Sequence, residues 1–160
     1  MKLLLENWRK FITEEINISI GKTVGSVVKL VCPPATQDLK LNTKNRDSAI
    51  KAEHIQYGPL NVGEPGDYWK KIAEYWNTTE KAAKKSVCAN CVAFDISPRM
   101  LECMPGETSD DDGVLGYCWM HHFKCHSARA CRTWAKGGPI EEDSVSADWQ
   151  ERSNIEDKNN

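Results

Sequence analysis

Six of the chain's seven cysteines lie between Cys88 and Cys131, and nothing else in the sequence restricts its folding as much. Cysteines so concentrated can cage a metal, close disulfides, or pack as small hydrophobes. Cys88-Ala-Asn-Cys91 offers two thiols from one tight turn, and Cys118 and Cys131 follow with twelve residues between them. Four soft ligands delivered from two or three loops are what a structural zinc or an iron–sulfur cluster requires. The small Ala89 and the turn-tolerant Asn90 permit the bend. Phe94, Tyr117, Trp119, Phe123 and Trp134 crowd the same stretch; they suit the apolar shield of a redox cluster and equally an ordinary small core.

The bulk numbers narrow the function classes. A length of 160 residues fits one domain with a modest core. With 21 Lys plus Arg against 23 Asp plus Glu, the chain lacks the basic stripe of a nucleic-acid binder; Lys81, Lys84 and Lys85 read as a solvated helix face. No run approaches the roughly 20 apolar residues of a membrane span. The N-terminal Met-Lys-Leu-Leu-Leu is broken by Glu6, Asn7, Arg9 and Lys10, unlike a signal peptide. A cytoplasmic place is therefore expected, where structural disulfides are disfavoured, and an odd number of cysteines leaves one unpaired in any all-disulfide scheme.

The expected fold is a small, irregular α+β domain with short helices, its C-terminal half organised around a metal cluster. Residues 1–67 read as an N-terminal helix over 2–14, a hairpin built from Ile16–Ile20 and Val27–Cys32, and an extended wrap carrying one short helix near Lys44–Ala52, capped by Asn42 or Thr43. Tyr57, Leu60 and Val62 are the anchors of that wrap. Residues 68–140, part of the same globular unit, are the cysteine-rich region. Trp69, Ile72, Ala73 and Trp76 predict a helix over Tyr68–Trp76, and Asn77 with Glu80 three positions on predicts a capping box for Thr78–Lys85. Ser97-Pro98 opens a short helix through Cys103. Gly106–Gly113 reads as an acidic surface loop, and residues 141–160 as a polar acidic tail.

The order Cys-Ala-Asn-Cys, Gly116-Tyr-Cys118, Cys131-Arg-Thr-Trp134 resembles the high-potential iron–sulfur protein family over about a third of the chain, residues 88–136. The resemblance implies one [4Fe–4S] cluster held by Cys88, Cys91, Cys118 and Cys131, with Trp134 packed over it, and one-electron transfer with a redox partner protein of unknown identity. The spacing between Cys91 and Cys118 is longer than that family's, Cys103 and Cys125 are additional, and family members are typically exported. Tyr57-Gly-Pro-Leu-Asn61 and Gly137-Gly-Pro-Ile140 also make the whole chain similar to small cysteine-rich proteins of tailed, marine bacteriophages. That likeness implies a phage-encoded protein in the bacterial host cytoplasm, or one associated with the virion.

Other uses of the same residues stay open. Cys118-x2-His121 complements Cys88-x2-Cys91 as a tetrahedral zinc site, and His122 and His126 lie close by, each as readily a surface or supporting residue. Cys125 and Cys103 are substitute ligands, a pair joined on oxidation, or inert core thiols; Cys32 is most simply a buried thiol. Cys125 beside His126 makes a poor nucleophilic dyad, because adjacent side chains diverge, and no oxyanion hole is evident. Asp110, Asp111 and Asp112 lack the alternation of a calcium loop. A hydrolase carrying a structural cluster remains an alternative whose catalytic residues nothing names, as does a phage component merely stapled by its metal.

Overall fold

In the computed structural model, which describes residues 31–153, those residues form six α-helices and four strands in mixed order. Helix α1 (Pro34–Gln37) leads into α2 (Leu39–Lys51), and α3 (Tyr68–Tyr75) into α4 (Glu80–Ala83). A 3-10 turn, Cys88–Asn90, precedes β1 (Phe94–Asp95), α5 (Pro98–Cys103), β2 (Ser109–Asp110), β3 (Gly113–Cys118), β4 (Phe123–His126) and α6 (Asp143–Arg152). All of these belong to one unit, an α+β arrangement around an antiparallel sheet. The N-terminal helix and most of the hairpin expected from sequence lie outside the described residues.

Strand β3 is the axis of the sheet. Along one edge it pairs with β4, Leu115 opposite His126 and Cys118 opposite Phe123. Along the other it pairs first with β2 and then with β1, which sets Phe94 opposite Cys118. Because side chains alternate along a strand, Phe94, Gly116, Cys118, Phe123 and Cys125 share one face, while Asp95, Tyr117 and Lys124 share the other. A Cβ on Gly116 would stand 2.5 Å from the Phe94 ring and 2.8 Å from the Asp95 carbonyl, so only glycine lets that ring lie flat across the strand.

Several element boundaries differ from the sequence reading. Helix α2 starts earlier than expected because Asp38, rather than Asn42 or Thr43, caps it, accepting from the Leu41 N–H at 3.1 Å. Asn42 instead turns inward and accepts from the Lys124 N–H. Helix α4 is shortened to one turn capped by Thr79, since Asn77 adopts a left-handed φ of 53° and cannot begin a helix. The acidic loop contains β2, folded back onto β3. Residues 143–152 of the expected acidic tail form α6, whose Ser146 and Gln150 are buried.

The reason for α6 is Arg99. Its guanidinium is buried and donates to Ser146 Oγ, Gln150 Oε1 and the Val31 carbonyl, while its N–H donates to Asp143. A buried guanidinium requires such partners, so α6 is held to α5 by polar contacts that leave no hydrophobic stripe in the sequence. Beside it, Cys32 and Cys103 form a disulfide with Cα atoms 5.4 Å apart. This corrects two expectations. Cys32 is not a lone core thiol, and Cys103 is not a spare metal ligand, because its sulfur is already bonded.

Candidate metal centre

The remaining five cysteines, Cys88, Cys91, Cys118, Cys125 and Cys131, are free thiols. All five line one cavity, and rings of Tyr57, Phe94, Phe123 and Trp134 close it. The cavity measures about 20 Å³ and is lined mainly by thiols and aromatic rings. That is space enough for a water molecule, which needs roughly 10–15 Å³ by the same measure, yet a buried water also needs two or more polar partners. Thiols offer poor ones. The space is built for something sulfur binds well.

Three backbone pieces bring the thiols together. The 3-10 turn carries Cys88 and Cys91 and is fastened by Asn90. The Asn90 side chain accepts from the Val87 N–H at 3.2 Å and from Trp134 Nε1 at 3.0 Å, and donates to the Lys85 carbonyl at 2.7 Å. Its backbone needs no unusual angle; the side chain does the work expected of the bend. Gly138 runs so close to this turn that a Cβ would stand 1.7 Å from the Cys91 carbonyl oxygen. The β3–β4 hairpin supplies Cys118 and Cys125 as diagonal neighbours on one face. The chain after β4 supplies Cys131, between Ala130, which exchanges hydrogen bonds with Gly58, and Arg132, whose N–H donates to the Ile55 carbonyl.

Amide donors surround the sulfurs. Cys91 Sγ accepts from the N–H groups of Ala93 and Ala135, Cys118 Sγ from those of Met120 and His121, and Cys131 Sγ from that of Thr133, whose hydroxyl also lies 3.1 Å away. Such bonds favour the thiolate and, around clusters, tune the potential. Burial works against them. It pushes the Cys131 thiol up to about 12 and raises Cys91. Cys118 is held below the ordinary range, chiefly by its hydrogen bond with Cys125, while burial raises Cys125 well above it.

The histidines sort clearly. His121 lines the cavity, but its Nε2 is 2.6 Å from Thr133 Oγ1, and burial followed by the charges of His54 and His122 lowers its pKa. His122 faces the Tyr117 hydroxyl at 3.3 Å, and His126 faces Asp110 at 3.1 Å on the surface. Among the described residues no group of three or more His, Cys, Asp or Glu side chains is set as the ligands of a single ion; the thiols ring a space.

Of the aromatic residues expected at the site, Phe94, Phe123 and Trp134 line the cavity. Tyr117 and Trp119 pack on each other at 5.0 Å instead, with Trp119 Nε1 donating to buried Asp95. Two lining residues went unforeseen, Tyr57 and Met120. Tyr57 lies in the segment read as a wrap, and no local signal links it to cysteines 31 or more residues away. It stacks edge-on to Phe123 at 4.8 Å, and its hydroxyl accepts from the His126 N–H.

No family model, curated protein or solved structure matches this chain.

Proposed function

We propose that the chain binds one [4Fe–4S] cluster through four thiolates and serves as a one-electron carrier or redox sensor. One observation carries the reading: five free thiols from three separate pieces of backbone line a single small cavity. When bound, a cluster of this kind takes up or releases one electron. Cys88, Cys91, Cys118 and Cys131 are the proposed ligands. The amide donors on three of them stabilise sulfur in its ionised form, and Phe94, Phe123 and Tyr57 keep water out. A cubane binds each thiolate at its own corner, and holding one requires this water-sized cavity to widen.

Trp134 gives the centre an outlet. It lines both the cavity and a surface groove shared with Trp76, Thr78, Ala82 and Ser86. The two indoles stand 5.9 Å apart. A carrier needs such a thin wall beside a docking patch, and Lys81, Lys84 and Lys85 stand exposed next to Ala82 and Ser86.

The second reading, a metal-stapled structural or virion-associated phage protein, is favoured by the Cys32–Cys103 disulfide. Disulfides persist at virion and cell surfaces and are rare in a reducing cytoplasm, so the bond fits a virion better than the host cytoplasm expected from sequence. No helix among the described residues is long and apolar enough to cross a membrane.

Iron, zinc and acid-labile sulfide in protein purified without oxygen, with the visible absorption spectrum, test the proposal. About four iron and four sulfide per chain with a brown chromophore is the expected result. Zinc near one with neither colour nor sulfide overturns the electron-transfer reading and leaves the staple.

A further inference from the structure

We infer that the groove beside Trp134 is a seat for a second copy of this chain, which presents its acidic helix α6 head to tail and sets Val145 against the indoles of Trp76 and Trp134. The seat is the docking patch described above. The inference names its occupant and does not depend on a bound metal.

The groove measures about 310 Å³ and is lined by Trp76, Thr78, Ala82, Ser86 and Trp134. Both indole N–H groups are spent inside the protein. Trp76 Nε1 donates to the Arg132 carbonyl, and Trp134 Nε1 to the Val87 carbonyl and to Asn90 Oδ1, each at 3.0 Å. What the two rings offer the groove is therefore carbon, which calls for an apolar occupant. The surroundings are basic. Lys81, Lys84 and Lys85 flank Ala82 and Ser86 along the chain, Lys136 follows Trp134 by two positions, and all four are exposed. Glu80 is the only acid between Trp76 and Val92. A fitting occupant brings an apolar side chain surrounded by negative charge.

The chain itself carries such a surface. Large apolar side chains left exposed among the described residues are Leu39, Leu60, Tyr75 and Val145. Leu39 stands between Asp38 and Lys40, Leu60 has no charged residue within three positions, and Tyr75 lies under the Arg132 guanidinium at 4.4 Å. Val145 alone stands in an acidic stretch: from Glu141 to Glu151 there are five acids and neither Lys nor Arg. Glu141 and Glu142 precede the first turn of α6, Asp148 comes about one turn after Val145, and all three are exposed. Helix α6 packs on α5, and α4 on α3. The helix face and the groove are thus different surfaces, and a contact between copies is heterologous. One helix face in one groove falls short of a permanent interface, so the association is weak and salt-sensitive.

Sedimentation velocity from about 10 μM to about 1 mM protein, at about 0.05 M and about 1 M salt, tests the inference. The wild type is expected to gain mean mass with concentration at low salt and to be monomeric at high salt. Lys81→Glu/Lys84→Glu/Lys85→Glu reverses the charge of the groove, and Glu141→Lys/Glu142→Lys/Asp148→Lys that of α6. Each triple variant alone should stay monomeric, and an equimolar mixture should regain the wild-type association, because every reversed face then meets its complement. Val145→Asp should weaken association although it adds charge of the attractive sign, since it removes the apolar contact. Circular dichroism reports the fold. Should a triple variant fail to fold, Lys85→Glu and Glu142→Lys take its place, each weakening association and their mixture recovering it. A wild type that is monomeric at every concentration overturns the inference and leaves the groove to a partner of another sequence. Association that survives either folded triple variant, that the mixture does not regain, or that Val145→Asp strengthens overturns it as well. Iron and zinc measured on the same samples keep the two readings apart: a wild type that associates without metal defeats only the metal centre, and a loaded monomer defeats only the docking.

Discussion

Gly116 has a phenyl ring where a side chain would be. With the Phe94 ring 2.5 Å and the Asp95 carbonyl 2.8 Å from its missing Cβ, Gly116→Ala must push Phe94 into the cavity or part β3 from β1. Overpacking of this kind costs about 1–3 kcal/mol. The variant is expected to show that loss in urea unfolding together with reduced metal content, and unchanged values on both would show that Phe94 does not wall the site. At this scale the sequence was partly readable. The ligand types stood out because sulfur chemistry is carried by residue identity, and Trp134 followed from its place beside Cys131. Asn90 was noticed for the wrong property: its contribution is a side-chain network spanning Lys85 to Trp134, and such a network exists only once distant pieces of chain meet.

Individual elements were legible where a local rule governs them. Pro98 at the start of α5 and the apolar face of α3 needed no tertiary knowledge. Helix α6 was not legible, because it is held by Ser146, Gln150 and Asp143 around Arg99, and polar residues in an acidic stretch resemble a solvated tail. Arg99→Ala therefore removes the guanidinium that donates to buried Ser146 and Gln150, leaving the backbone N–H on Asp143 and the Val31 N–H on Gln150 in place, at an expected cost of about 2–4 kcal/mol. Limited proteolysis checks it. Cleavage in α6 should become much faster than in the wild type while metal content is retained, and a resistant α6 would mean that Arg99 is not its clamp. The β3–β4 hairpin also escaped the sequence reading. Its turn, Trp119–His122, holds neither Gly nor Asn, and His122 takes the left-handed position at φ 54°, so the usual hairpin signal is missing.

At the scale of the whole molecule, two crosslinks act on one domain, the disulfide and the proposed metal centre. Cys32 and Cys103 are 71 residues apart, and closing a loop of that length is worth about 4 kcal/mol by the chain-entropy account. Cys32→Ala/Cys103→Ala is expected to lose stability of that order in thermal melts and to keep its metal, since neither sulfur lines the cavity; loss of the metal would mean that the disulfide shapes the site. The pairing was hidden in the sequence because spacing does not give connectivity, and the compartment argument pointed towards free thiols.

Four of the cavity thiols also tie global stability to pH, and the sign depends on whether metal is bound. In the metal-free chain burial raises Cys91, Cys125 and Cys131, the last to about 12 from an ordinary 9.0. Above about pH 9 the unfolded chain therefore sheds protons that the folded one keeps. Each raised thiol then lowers stability by up to about 1.4 kcal/mol per pH unit, a contribution fully present below pH 9 and gone once the folded pKa is passed. Cys118, which is lowered, works in the opposite direction but alone. Burial raises Tyr57, Tyr68 and Tyr117 as well, and the charge of neighbouring cavity thiolates adds to it, so their contribution follows the state of those thiols. Loaded protein has already released its ligand protons on binding, so its stability should fall less steeply. Urea midpoints of chelated and loaded protein from about pH 7 to about pH 11 separate the two effects: diverging curves above pH 9 place the cavity thiols in the ionised, metal-bound state, and parallel curves would show that the bound metal does not involve them.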